Sequence, residues 1–532
     1  MTEQATVSVP AEASGNMRLA VLLAMAMFVL VVDTSLMNVS ISAVIRDLNT
    51  TASGVQSAIA LEALVSAAFI LIGSKVGDLI GRKRAYVLGL LAYAVGALAM
   101  TLSQNLVSII IFWAIIGGLG ASLLLPAMQS LIHGNFSGPA QTRAYALVGA
   151  AAAIAAAVGP LLGGFVTTYL SWRVGFLLED VVIVVVLSGI KLVHDAPYTG
   201  PRQVDLVGAA LSVLGMGGIV LGILVWQEGG EAVGALLAVG AAGMAAFVWW
   251  LRRRKREGKP SLIDPDLFKS QIFRFGISQQ LLQQIALGGT MIVLPIYLQM
   301  VFEYSAMEAG LSLAPLSLTM FATALLASKR AGRRRPSSII RVGFALLTAG
   351  LLILIPIVPR AHSGWTLVVP LIIAGAGLGL LVSQLNNYTL APISDERVSE
   401  AAGVNSAAGS FGLSFGLAFA GAILLMTLSF SFTSMANASD VLRPSQQKQV
   451  AQTLEHDAQV ISNTDLEQLL ARESERTQEE IIRINTDARH RALQVALLIP
   501  ILAGVAGLFT SFRMMRIPEP EPSAAAEGMA LG

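Results

Sequence analysis

Fourteen apolar runs, each close to the length that crosses a bilayer, divide this sequence from end to end. A spanning helix needs about 20 mostly apolar residues. Runs of that kind fall at 19–41, 55–76, 86–101, 107–132, 144–168, 174–193, 206–226, 232–251, 275–301, 307–327, 339–358, 367–390, 404–430 and 492–512. Charge sits in short clumps between them. Only 13% of the 532 residues are charged, against roughly a quarter in soluble domains. A string of soluble domains would need charge within each segment, so the reading is an all-α integral membrane protein. The first run contains Asp33, is too long for a signal-peptide core and leads into further spans, so it reads as the first span. The chain has no cysteine, which excludes disulfide frameworks, catalytic thiols and thiolate metal sites.

Basic clumps set the expected orientation, because cytoplasmic loops carry the excess of Lys and Arg. They occur at Arg82-Lys83-Arg84, at Arg252-Arg253-Arg254-Lys255-Arg256, and at Lys329-Arg330 with Arg333-Arg334-Arg335. With these inside, both termini are cytoplasmic, and the opposite loops hold Glu228, Glu231, Glu303 and Glu308. Arg173 and Arg360 are exceptions. Trp172, Trp226, Trp249, Trp250 and Trp365 fall at predicted span ends, where interfacial anchors are expected. Each basic clump adjoins an apolar span, so it reads as a topology signal and not as a nucleic-acid site.

The chain divides into two six-helix halves with two inserted helices. Ser74–Arg84 and Ser328–Arg335 are glycine-containing basic stretches, and each links the second and third helix of its half once the inserted pair is set aside. Such a parallel repeat is the trace of two bundles related about the membrane normal. The expected parts are an N-terminal tail at 1–18, a first bundle at 19–195, inserted helices and linker at 196–259, a second bundle at 260–512 and a C-terminal tail at 513–532. The long polar loop at 431–491 lies outside by topology. Thr464-Asp465-Leu466-Glu467 fits a capping box opening a helix toward the last span, and residues 446–460 would complete a hairpin. A mobile external loop is the alternative.

Four motifs resemble those of the major facilitator superfamily, and specifically its fourteen-helix drug:proton antiporters. They are Asp33-Thr34-Ser35-Leu36-Met37-Asn38-Val39 in the first span; Gly77-Asp78 with Gly81-Arg82-Lys83 after the second; Gly159-Pro160-Leu161-Leu162-Gly163-Gly164 in the fifth; and Leu262-Ile263-Asp264-Pro265-Asp266-Leu267-Phe268 before the ninth. The resemblance spans nearly the whole chain apart from the tails and the long loop. It implies two six-helix bundles plus two inserted helices, and proton-driven export of amphipathic, often cationic, compounds. Three positions depart from the family pattern. Ser74 replaces a glycine, Ala114 stands where an arginine thought to assist proton transfer is usual, and Glu179-Asp180-Val181 replaces Asn-Val-Pro.

A carboxylate at mid-membrane costs about 2.5–3.5 kcal/mol on insertion scales, so each one calls for a reason. Asp33 and Glu62 lie at similar depth below the outer surface and are the candidate proton carriers; the alternative is a neutral, hydrogen-bonded acid that joins two helices. Glu179 and Asp180 are a candidate second acid site, and being adjacent they point about 100° apart on a helix. Asp78, Arg82 and Lys83 read as a conformational charge network at the cytoplasmic side, or as a solvated topology signal. Gly159, Pro160, Gly163 and Gly164, the antiporter motif by resemblance, suit close helix approach and a bend. Polar stripes at Gln279, Gln280, Gln283 and Gln284, and at Gln384, Asn386 and Asn387, should face the cavity or another helix, and Gln280, Gln283, Gln284, Asn386 and Asn387 are candidates for the substrate cavity. So is Trp113, whose alternative is core packing.

The expected function is a proton-coupled exporter, not an enzyme, with no cofactor and no metal. Its expected partners are an amphipathic small molecule, protons and the bilayer of a bacterial cytoplasmic membrane; no nucleic-acid partner is expected, and the chain should be monomeric. A dedicated exporter of a lipid or endogenous metabolite, and a receptor or accessory protein without coupled transport, are the alternatives. No Walker-type loop is present, so ATP does not drive the process directly.

Overall fold

The computed structural model describes residues 16–518 except 137, 196–204, 228–229, 330–334, 394–396, 444–446, 448–465, 468–469 and 472. Glu228, Arg330, Arg333, Arg334, Thr464, Asp465 and the 446–460 stretch apart from Gln447 therefore lie outside the described residues.

Every apolar run is helical. The first half comprises α1 (Met17–Leu48), α2 (Ala52–Ile80), α3 (Arg82–Leu102), α4, α5 (Gly138–Tyr169) and α6 (Trp172–Ser188). Helix α4 runs through Leu106–Ser108, a π-helical stretch Ile109–Gly117 and Gly118–Asn135. The inserted pair is α7 (Leu206–Gln227) and α8 (Val233–Arg256). The second half comprises α9 (Gln271–Val301), α10 (Ala306–Lys329), α11 (Pro336–Ile357), α12 (Val368–Leu390), α13 (Val398–Asn437), α14 (Glu475–Ala496) and α15 (Leu498–Met514). Among the described residues 13 helices are long and apolar enough to cross a membrane. Helix α6, at 17 residues, completes the fourteen.

Local chemistry explains where the helices stop. Thr51 caps α2 by accepting from Gly54 N, Ser171 caps α6 by accepting from Arg173 N, and Asn49 ends α1 in the left-handed region at φ 48°. The sixth run was expected to reach residue 193, but α6 ends at Ser188 before Gly189, and a short 3-10 turn follows. Pro500 has no N–H to return to Ala496, which accounts for the break between α14 and α15.

The halves meet chiefly through two helix pairs, α2 with α13 and α5 with α10. At the end away from the basic clumps, called the far end below, Thr168 Oγ1 of α5 accepts from Met307 N of α10 at 3.0 Å. On the other pair, Ser414 Oγ of α13 donates to the Ala60 carbonyl of α2 at 2.6 Å. Helix α7 packs against both α2 and α13, and α8 lies outside it. The α7–α8 seam depends on glycine: a Cβ at Gly218 would stand 2.6 Å from Gly240, and one at Gly240 only 2.4 Å from Ile219 N. Without side chains between them the two backbones approach closely and gain dispersion contact, the main driving force where no water is displaced. Asp205 anchors the pair, accepting from Gly208 N at the start of α7, from Trp250 Nε1 of α8 and from Leu262 N in the linker.

Two expectations are corrected. The long loop is shorter than 431–491, because α13 continues to Asn437 and the last span is preceded by α14, a helix capped at Ser474, whose hydroxyl accepts from Thr477 N; the Thr464-Asp465 start of the capping box lies outside the described residues. Helix α14 buries Ile481, Ile484, Ala488 and Ala492, and it packs on α13 and α9, which is why the segment is helical instead of an open loop. Trp172 is not an interfacial anchor. It is buried, with Nε1 donating to Asp47 Oδ2 at 2.8 Å. Arg173, the expected exception on that side, pairs with the same Asp47 carboxylate and donates to the Ser103 carbonyl, so its charge serves packing among α1, α3 and α6.

Candidate functional site

Four of the first half's helices converge on the first-span acid. Asp33 is 1% exposed in α1. Tyr93 of α3 donates its hydroxyl to Asp33 Oδ2, and Trp113 of α4 donates its indole N–H to both carboxylate oxygens, at 2.9 and 3.1 Å. Glu179 of α6 is buried, and both of its carboxylate oxygens lack a hydrogen-bond partner. Glu62 of α2 is buried as well and lies within electrostatic range of Asp33, as Glu179 does. Among the described residues no Lys or Arg forms an ion pair with any of these three acids. Asp180 is only partly buried, so the adjacent pair divides in burial, and Glu179 is the member wholly enclosed within range of Asp33.

Trp113 belongs to the π-helical stretch, whose i→i+5 bonds widen the turn and change the direction in which side chains leave the helix. Its ring lies edge-on to Phe176 of α6, centroids 6.3 Å apart. Immediately after this stretch, Gly118 lets α4 press against α2: a Cβ there would stand 2.9 Å from the Glu62 carbonyl. Ala114 is wholly buried beside Trp113 and brings no charge. Trp113, expected as core packing or as a cavity residue, is thus both buried and a hydrogen-bond partner of Asp33. Sequence reasoning did not single out Tyr93; the one signal available was a hydroxyl-bearing ring in the middle of an apolar span.

At the basic end Asp78 and Arg82 form a buried ion pair, and Arg82 also donates to the Ser74 carbonyl at 3.3 Å. Lys83 reaches the segment after α6, with its backbone N–H on Asp195 Oδ1 at 3.0 Å and Nζ on the Val193 carbonyl at 2.7 Å. Gly81 has φ 98°, a conformation that L side chains rarely adopt, and it faces the Asp195 carboxylate. Asp195 was not foreseen from the sequence, since it lies 112 positions from Lys83.

Helix α5 carries its glycine motif between the halves. Gly159 and Gly163 face α1, where Cβ atoms would approach Ser35 Cβ to 2.5 Å and Leu36 Cα to 2.8 Å. Gly164 faces α10, where a Cβ would stand 2.6 Å from the Ala306 carbonyl, and the Pro160 carbonyl lies against Gly310. One short motif therefore joins a helix contact within the first half to the contact between halves.

In the second half the glutamines form two neighbouring rows. Gln279 donates to the Gly507 carbonyl and to Thr510 Oγ1 of α15, at 3.1 and 2.6 Å. Gln283 is buried one turn along the same row. Gln280 and Gln284 lie against α13 at Gly409 and Gly412. Asn386 Oδ1 accepts from Asn405 Nδ2 of α13 at 2.6 Å, Asn387 is partly buried, and Gln384 is buried. A separate cavity of about 710 Å³ opens at the far end beneath α14, lined by Val301, Phe302, His362, Met435, His490 and Arg491 among others. Among the described residues no group of His, Cys, Asp and Glu is arranged to hold a metal ion.

Similarity to known proteins agrees with this architecture. The probable actinorhodin transporter of Streptomyces coelicolor is 26% identical over 412 residues, covering 76% of this chain and 71% of that protein. The puromycin resistance protein pur8 of Streptomyces alboniger is 28% identical, over 77% of this chain and 81% of its own. The drug efflux pump JefA of Mycobacterium tuberculosis is also 28% identical, over 75% and 78%. Among solved structures, a bacterial homologue of the human lysosomal transporter Spinster, in an inward-facing and unoccupied conformation, superposes with a TM-score of 0.61 at 13% identity, over 96% of this chain and 99% of that one. The sequence profile of the Major Facilitator Superfamily matches residues 23–213 and 204–417. With two six-helix halves, an inserted pair and this match along most of its length, the chain belongs to the Major Facilitator Superfamily.

Proposed function

We propose that this transporter exports amphipathic, often cationic, small molecules in exchange for protons, with Asp33 and Glu62 as the proton-carrying groups and Glu179 as a third acid of the same site. The observation that carries the reading is three buried carboxyls on α1, α2 and α6 with no cation paired to them among the described residues. Burying an unpaired charge is costly, and either a proton or a cationic ligand removes that cost. A site that holds one or the other, but not both, exchanges them. Tyr93 and Trp113 supply neutral donors to Asp33 where the family pattern would supply an arginine at position 114. The relatives named for drug efflux, puromycin resistance and actinorhodin support an export direction. As a superfamily member the chain is a transporter and not an enzyme.

In this reading the basic end is cytoplasmic, both termini lie inside a bacterial cytoplasmic membrane, and the monomer is the working unit. Residues 19–195 and 260–512 are the two moving bundles, and 196–259 carry the inserted pair. The Asp78–Arg82 pair and its neighbours hold the cytoplasmic side of the first bundle. The two glutamine rows, with Asn386 and Asn387, are the second bundle's contribution to the substrate path. A dedicated exporter of a lipid or endogenous metabolite is the second reading, favoured by the cavity beneath α14.

The test is substrate-linked proton flux in proteoliposomes under an imposed pH gradient. Coupled flux is expected with amphipathic cations and should be lost in Asp33→Asn. Cation transport that ignores the pH gradient would reject the coupling. Coupled flux confined to a neutral lipid or a single metabolite would select the second reading.

A further inference from the structure

Helix α8 is the least enclosed of the spans: only 17% of its apolar window is buried within the protein. Along its outward face Ala238, Ala241, Ala245, Val248, Trp249, Arg252 and Arg256 are all exposed, and their spacing puts them in one strip. The strip is apolar and shallow for most of its length and ends in a groove of about 330 Å³ at the basic end. Ala245, Val248, Trp249, Arg252, Arg253 and Arg256 line that groove. Arg253 is committed within it, with Nε on Glu257 Oε1 at 2.9 Å and its guanidinium 5.5 Å from the Trp249 ring centre. Arg252 and Arg256 form no ion pair or hydrogen bond with any described residue. Trp249 itself is 56% exposed.

We propose that this groove binds the headgroup of an anionic phospholipid, with Arg252 and Arg256 on the phosphate and the acyl chains along the alanine strip. The chemistry selects this occupant. Two unpaired guanidinium groups one turn apart match a phosphate diester, whose oxygens accept forked N–H donors. The tryptophan sits at the boundary between apolar strip and charge, where such rings lie in the bilayer interface. A free phosphate ion would satisfy the arginines but leave the strip unused. A second copy of the chain, docked by a two-fold axis on this face, would set the same cations against one another. The inserted pair packs on α2 and α13, the helices that join the halves. Occupancy of the groove therefore steadies the pair against the part of the protein that moves.

The test uses the full-length protein purified in neutral detergent, titrated with phosphatidylglycerol, phosphatidylcholine or inorganic phosphate, and followed by thermal unfolding and by native mass spectrometry. Phosphatidylglycerol is expected to remain bound and to raise the melting temperature, and the other two are not. Arg252→Gln/Arg256→Gln should weaken phosphatidylglycerol binding about 30-fold, the ordinary worth of two interfacial cations toward an anionic lipid. Arg252→Lys/Arg256→Lys, which keeps both charges but loses the forked donors, should bind more weakly than the unaltered protein and more tightly than the glutamine variant. Arg513→Gln/Arg516→Gln, which removes two cations at the same end but outside the groove, should bind as the unaltered protein does. Equal stabilisation by phosphatidylcholine, reproduction of the effect by inorganic phosphate, unchanged binding in the glutamine variant, or an equal loss in the Arg513/Arg516 control would each overturn the proposal.

Discussion

Trp113 donates its indole N–H to both carboxylate oxygens of Asp33, joining the π-helical stretch of α4 to the acid at the centre of α1. Together with the Tyr93 hydroxyl it gives Asp33 neutral donors in place of a cation. A carboxyl held by neutral donors can bind and release a proton without stranding a buried positive charge, whereas one paired to arginine leaves that charge unpaired each time it is protonated.

Trp113→Phe keeps the ring against Phe176 and removes the donor. It should fold, with a stability loss of about 1–3 kcal/mol for the hydrogen bonds forgone, and gradient-driven transport should fall roughly tenfold, as loss of one positioned hydrogen bond implies. Thermal melts and flux assays on the same preparation check both. Transport equal to the unaltered protein would reduce Trp113 to core packing.

Glu179 has no hydrogen-bond partner for either oxygen, so its removal should be tolerated by the fold. Glu179→Leu is expected to hold or raise the melting temperature, because an apolar residue of similar size replaces an unsatisfied polar group. Transport of doubly charged cations should fall more than that of singly charged ones. A marked drop in melting temperature would indicate a structural role instead.

Asp78→Asn leaves Arg82 buried without its counter-charge, which costs about 3–5 kcal/mol where no water can replace it. Turnover should slow while substrate affinity stays nearly unchanged, because the pair lies at the basic end, away from the acid cluster. Asp195→Ala should act in the same direction through Lys83 and Gly81. Stopped-flow transport together with equilibrium binding separates the two quantities.

Gly164→Ala would place a methyl group 2.6 Å from the Ala306 carbonyl, too close for the α5–α10 contact to survive unchanged. The far end should then open more often. The chain has no cysteine, so a single Ala309→Cys, at a wholly buried position beside the Gly310 contact, gives a probe, and its labelling by a membrane-impermeant thiol reagent should increase in the Gly164→Ala background. Unchanged labelling would mean that this contact does not close the far end.

Arg489→Ala removes a buried guanidinium that donates to the Met300 carbonyl at 2.6 Å and helps fasten α14 onto α9. A hydrogen bond from a charged group contributes about 1.5–3 kcal/mol. Limited proteolysis should therefore cut within residues 475–496 earlier than in the unaltered protein, with the spans left intact.

The sequence by itself determined the class of protein. Fourteen apolar runs, the basic clumps beside them and the repeated link after the second helix of each half all follow from local composition, and hydrocarbon admits little besides helices for such segments. Asp33, Glu62 and Glu179 could also be singled out one by one, because an acid within an apolar run stands out. Tertiary structure alone decided which groups meet. Tyr93 and Trp113 lie 60 and 80 positions from Asp33, and no periodicity within α3 or α4 points toward it. The same holds for Asp47 under Trp172 and for Asp195 against Lys83. A helix running toward the last span was legible in the long loop, but what α14 packs against was not, because its apolar side acquires meaning only once α13 extends to Asn437 and packs on it. Hydropathy records what each segment tolerates around it, and pairing across the bundle depends on rotation and depth, which only the packed helices set.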